Sequence, residues 1–241
     1  MHVEAPAGGW PPPWPLVVEL AEALPVGSWV LVGGLMVQVH AIATGIDVVR
    51  PTDDVDTLID VMADDAGVQK VVAALQGLGF EVQEPGWGKS AVVHRLIRGR
   101  DKVDVLVADH LPADRRRRLR RRNVMEIDGG AQALARQQPV TIEYEGRTVK
   151  FVVPDLLGAL VLKGAAHKAD NLNPDRHLAD AALLASIIAD HKAERARFQG
   201  SDKKRLSHLA RELADPNHEA WLVLPADAQQ RGQDALRILT D

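Results

Sequence analysis

None of the 241 residues is cysteine. That absence excludes a disulfide framework, a thiolate nucleophile and any zinc or iron–sulfur site held by cysteine. A metal would have to be held by carboxylate, imidazole or water. A reducing, cytoplasmic setting fits this composition. Aromatic residues are scarce, five Trp, three Phe and one Tyr, which argues against a surface that grips nucleic acid by stacking successive bases on rings. The core is therefore expected to be aliphatic. No apolar run approaches the roughly 18 residues of a membrane span, and the N-terminus lacks the basic, apolar, small-residue order of a secretory signal. The expectation is an intracellular protein with no membrane partner.

What is present reads as a mixed fold. Hydrophobic residues make up 46% of the chain and charged residues 26%, ordinary values for one large globular domain or two small ones. Residues 1–15 hold five prolines and two glycines, a composition that neither helix nor sheet can use, so they read as a flexible tail that Trp10 and Trp14 could pin. Apolar runs and 3.6-periodic stretches then alternate. Helices are expected over Leu16–Leu24, Gly34–Ala43 and Val68–Leu78. Strands are expected over Trp29–Val32, Val55–Val61, Phe80–Gln83, Ala91–Ile97, Val103–Val107 and Asn123–Ile127. Val140–Tyr144 and Thr148–Val152 read as a hairpin. Beyond Pro154 the pattern turns helical, over Leu156–Lys168, Pro174–Ile188, Ser201–Ala214 and Ala226–Leu239. The expected class is α+β: a mixed sheet with flanking helices over 16–152, then a helical region over 153–241.

One stretch carries chemistry. Val32-Gly33-Gly34-Leu35 is a buried strand running through two glycines into a helix, which leaves backbone N–H groups open to a polyphosphate. Arg50-Pro51-Thr52-Asp53-Asp54-Val55-Asp56 follows. The period-2 spacing puts Asp54 and Asp56 on one face with Val55 turned into the core, making a pair of hard oxygen donors suited to Mg²⁺. In Lys102-Val103-Asp104-Val105-Leu106-Val107 an acid interrupts an apolar strand, where an unpartnered carboxylate would be costly. Beside Asp54 and Asp56, Asp104 would complete a site for two divalent ions able to activate a hydroxyl and neutralise a triphosphate.

Gly-Gly, a helix, Arg-x-Thr-x-Asp-x-Asp and a later strand-borne Asp together resemble the nucleotidyltransferase superfamily, in particular the AbiEii-type toxins of toxin–antitoxin pairs. The likeness continues through Lys163 in Leu-Lys-Gly-Ala-Ala-His-Lys and Asp180 in Asp-Arg-His-Leu-Ala-Asp, and covers about Val32 to Leu184. The resemblance implies a nucleotidyltransferase-like sheet and an Mg²⁺-dependent transfer of a nucleoside monophosphate from an NTP. Asp54, Asp56 and Asp104 would hold metal, Lys163 would contact the nucleotide phosphates, and Asp180 would orient Lys163 or the base. Gly33, Gly34, Arg50 and Thr52 would join Lys163 in holding the nucleotide. The implied acceptor is the 3′ end of tRNA and the implied partner a cognate antitoxin. Two positions depart from the pattern. Gly34 stands where many members have Ser, leaving only backbone donors, and Arg176-His177 stands where Lys-Asp is common, keeping the cation and losing a carboxylate.

Other signals lead elsewhere. Pro85-Gly86-Trp87-Gly88-Lys89-Ser90 resembles a phosphate loop, but Gln83 stands where its first glycine belongs, so it reads as a turn between strands. The nine histidines form no metalloprotease motif. Arg115, Arg116, Arg117, Arg118, Arg120, Arg121 and Arg122 form the strongest charge feature. Taking those seven charges out of the −4 total leaves −11 for the rest, so the patch is concentrated on a chain that otherwise repels phosphate. It reads as an RNA-phosphate handle, as a dock for an acidic antitoxin, or as a solvated segment paired with nearby acids. Two further function readings stay open: a small-molecule acceptor of the antibiotic kind, and a non-catalytic binding module on the same fold.

Overall fold

The computed structural model describes residues 1–46, 50–84, 92–115, 118, 119 and 122–241. It opens with β1 (His2–Val3), α1 (Trp14–Ala23), β2 (Val30–Val32), α2 (Gly33–Ala43), β3 (Val55–Ile59), α3 (Gly67–Gly77), β4 (Glu81–Val82), β5 (Arg95–Arg98) and β6 (Asp101–Ala108). Then come β7 (Arg118–Leu119), β8 (Arg122–Asn123), β9 (Met125–Ile127), α4 (Gly130–Leu134), β10 (Gln137–Tyr144) and β11 (Arg147–Pro154). The rest is helical: α5 (Leu156–Ala169), α6 (Asp175–Ser186), α7 (His191–Ala196), α8 (Asp202–Glu212), α9 (Glu219–Leu222) and α10 (Ala226–Thr240). The class is α+β, with mixed sheets before a helical C-terminal half. No helix among the described residues is long and apolar enough to cross a membrane.

The main sheet runs β2-β3-β6-β5-β4, with β9 paired to β6. β3 and β6 lie parallel at its centre, and β2 and β5 run antiparallel to them. Strands buried on both faces need continuous apolar runs, and Val103, Val105, Leu106 and Val107 supply one in β6. The second sheet, β1-β10-β11, is built on the expected hairpin. Its turn at Glu145 and Gly146 has φ of 48° and 76°, the paired positive values that match the twist of a two-residue loop.

Residues 1–15, read from the sequence as a tail, are laid along the body. β1 pairs with β10, Trp10 Nε1 donates to Glu143 O at 2.8 Å, and Trp14 Nε1 donates to Gln38 Oε1 at 2.9 Å. The first helix begins at Trp14, with a proline in its first turn, where the missing N–H costs nothing. The few aromatics go inward. Trp14 and Trp29 both pack against Phe151 of β11, and Trp221 is fully buried among the C-terminal helices, so the core is aliphatic with aromatic plugs. β1 and the short helices α4, α7 and α9 are absent from the sequence expectation. They span two to six residues, too few for any periodicity to register. The Pro85–Ser90 segment and Ala91 lie outside the described residues, as do Arg116, Arg117, Arg120 and Arg121.

Candidate active site

α2 packs on β3 and α6, while α5 packs on α6 and α8. A cavity of about 680 Å³ opens where the main sheet meets these helices. Gly33, Gly34, Arg50, Thr52, Asp54, Asp56, Asp104 and Lys163 all line it. Residues 130 positions apart in the chain are thereby brought to one place.

Strand register builds the acidic wall. Asp56 on β3 stands directly opposite Asp104 on β6, and also opposite Val32, the last residue of β2. Thr57 Oγ1 donates to Asp104 O at 2.9 Å and locks that register. Val55 is fully buried, which leaves Asp54 and Asp56 on the cavity side as the alternation requires. Asp53 takes the other direction, exposed and paired with Lys102 at 2.5 Å. Oxygens of Asp54, Asp56 and Asp104 all lie within 4.8 Å of one another.

The two glycines are there for space. Gly33 has a φ of 70°, and a Cβ on it would come within 1.7 Å of Asp56 Oδ2. A Cβ on Gly34 would meet Thr52 Cβ at 2.9 Å and Thr52 Oγ1 at 3.1 Å. The departure from Gly-Ser therefore has a local reason: the Thr52 side chain already fills the volume beside residue 34. Val32 provides no side-chain cap for α2, and an N-terminus without one is suited to an anion.

A second wall faces the acids. Lys163 rises from the apolar helix α5 and is 4% exposed, a position a lysine holds only when paired. Its Nζ lies 2.7 Å from Asp180 Oδ2 and donates to Gly33 O at 3.1 Å. Asp180 is not on the cavity wall; it sits behind Lys163 and also holds Arg50, whose Nε and Nη2 lie 3.5 Å from its two oxygens. Burial opposes the ionisation of Asp180, yet the charges of Lys163 and Arg50 outweigh it and hold the carboxyl below the usual range. At the mouth, Arg176 and His177 both grip Asp170, at 2.9 and 3.1 Å. Burial first, then the charges of Lys163 and Arg176, push His177 down to about 4, so the ring is neutral at pH 7.

Asp56 behaves in the opposite way. Burial, reinforced by the charges of Asp54 and Asp104, pushes its carboxyl up to about 7. The charges of Lys163 and Arg176 oppose this rise without cancelling it, and a hard divalent ion is the kind that suits an all-oxygen donor set.

Arg95 is the residue that sequence reasoning missed. From β5 its Nε and Nη2 reach both oxygens of Asp104 at 2.7 Å, and Nη2 reaches Asp54 at 3.2 Å. The signal was present in the chain: a tight turn at Gly99-Arg100 pairs β5 with β6 so that Arg95 falls opposite Asp104. Of the arginine run, Arg115 bonds Asp65 at 2.8 Å and does not line the cavity. Compared with protein-family models, with curated proteins and with solved structures, the chain matches none.

Proposed function

We propose that this chain is an Mg²⁺-dependent nucleotidyltransferase that moves a nucleoside monophosphate from an NTP to an acceptor hydroxyl, the 3′ end of tRNA, as the toxin of a toxin–antitoxin pair. One observation carries the reading. Asp56 and Asp104 face each other on adjacent parallel strands beneath the open N-terminus of α2, and the buried Lys163 stands across the same cavity.

The division of labour follows from the walls. The first-turn N–H groups of α2, with Lys163 and Arg50, offer donors to the phosphates. Lys163 has three N–H bonds, of which Asp180 and Gly33 O engage two. Leu106, Met125, Ile127 and Leu162 give an apolar shelf on which a nucleobase can lie. Asp54, Asp56 and Asp104 are the groups that would hold Mg²⁺, which when bound supplies Lewis acidity and charge neutralisation at the phosphates. In the transfer the acceptor oxygen bonds the α-phosphorus and the bond to the β-phosphate oxygen breaks. Pyrophosphate leaves, and the hydroxyl proton passes to the carboxylates. Fixing both reactants on rigid strands and helix ends contributes through orientation. The arginine run beginning at Arg115 supports RNA as acceptor through charge alone.

The test is label transfer from each α-labelled NTP to total RNA, with wild type and Asp56→Ala compared in Mg²⁺. Transfer by wild type and a loss of 100-fold or more in the variant are expected, about the size of removing one electrostatic element of such a site. Absence of transfer to RNA with all four nucleotides sinks the RNA assignment, and transfer to an aminoglycoside under the same conditions would reassign the acceptor. Growth arrest on expression, relieved by Asp56→Ala, is the expected cellular counterpart.

A further inference from the structure

The acidic cluster already contains a cation of its own. The Arg95 guanidinium is planar and forked, a shape that matches a carboxylate edge-on, and it takes both oxygens of Asp104 at 2.7 Å while touching Asp54 at 3.2 Å. The other Asp54 oxygen accepts from Thr52 Oγ1 at 2.8 Å. Asp56 alone bonds no side chain or backbone donor among the described residues. Three carboxylates and one guanidinium leave two negative charges, the charge of one divalent ion. A second ion on Asp104 would lie beside a guanidinium bonded to the same carboxylate. Two cations at about 4 Å repel by roughly 4 kcal/mol for each unit of charge at the effective dielectric of a protein surface.

We propose that Arg95 stands in for one of two divalent ions, so that the nucleotide-free site binds a single ion on Asp54 and Asp56 while Arg95 holds Asp104. The inference rests on the nucleotidyltransferase reading only in taking this cluster to bind a divalent cation. Arg95 acts here as a positioning residue: it fixes Asp104 and sets the number of ions. It also explains how a carboxylate as buried as Asp104, 6% exposed, is stable before any metal arrives.

The experiment is a Mn²⁺ titration of the full, nucleotide-free chain, with free Mn²⁺ read by electron paramagnetic resonance. Wild type is expected to bind one ion. Arg95→Gln is expected to bind two, the second at least tenfold tighter than any second binding event in wild type. Should Arg95→Gln fail to fold, as read by circular dichroism, Arg95→Lys carries the test, since it keeps a charge but loses the fork and opens the same second site more weakly. Two ions of comparable affinity on wild type overturn the proposal. A foldable Arg95 variant that still binds one ion with unchanged affinity overturns it too. So does a wild type that binds none, although the transfer reading, tested with NTP present, would then still stand.

Discussion

The two walls of the cavity handle buried charge in opposite ways. Behind the helical wall Asp180 closes on Lys163 and Arg50, and is held ionised by them. On the sheet wall three acids crowd together with one arginine, and Asp56 is left holding a proton up to about pH 7. A closed set of three maintains the fold without help. An open cluster in which Asp56 bonds no donor among the described residues has room for a cation from outside, which in the proposed reading makes the sheet wall the receiving side and the Lys163–Asp180–Arg50 group its brace.

The contrast breaks most sharply at Asp180. Replacing it with Ala strands the buried Lys163 and frees the part-exposed Arg50, a loss of about 3–5 kcal/mol from the uncompensated buried charge. At about 2–4 °C per kcal/mol for a chain of this size, calorimetry should show a fall in Tm of order 10 °C; an unchanged Tm would mean that the brace is no brace. Gly33→Ala comes next. Its positive φ and the contact with Asp56 predict a cost of about 1–3 kcal/mol, together with weakened Mn²⁺ binding, since Asp56 must move aside.

The pH dependence sharpens the comparison further. Between about pH 4, where an unfolded aspartate loses its proton, and about pH 7, the native chain binds more protons at Asp56 than the unfolded chain does. Its contribution therefore lowers stability as the pH rises through that window. Asp180, with its value depressed, contributes stability above about pH 4 that is lost on acidification. In urea unfolding with EDTA, Asp56→Asn should gain more over wild type near pH 8 than near pH 5. An equal gain at both would refute the raised value. The smallest effect belongs to the mouth: Arg176 is 43% exposed, so Arg176→Ala should cost under about 1 kcal/mol while weakening nucleotide binding, measurable as a higher KM.

Much of the site was legible because its parts are local. Gly33-Gly34 at a strand-to-helix junction and the Asp54/Asp56 alternation follow from periodicities of 3.6 and 2. The long helices and the hairpin are also recovered to within a few residues. What was not legible depends on partners distant in the chain. His2 and Val3 become a strand only because β10 offers an edge. The arginine run is marked by its density, whereas a single Arg95 among alternating residues carries no local mark, although a turn four residues later places it opposite Asp104.

By itself the sequence determined the α+β class, the aliphatic character of the core, the exclusion of cysteine chemistry and the Asp54/Asp56 pair, since these follow from composition and short-range period. Only the tertiary structure decided that Asp56 meets Asp104, that Asp180 stands behind Lys163, and that an arginine shares the acid cluster. Those outcomes are set by strand register and helix packing, where energies arise between residues tens of positions apart, and no local pattern encodes that distance.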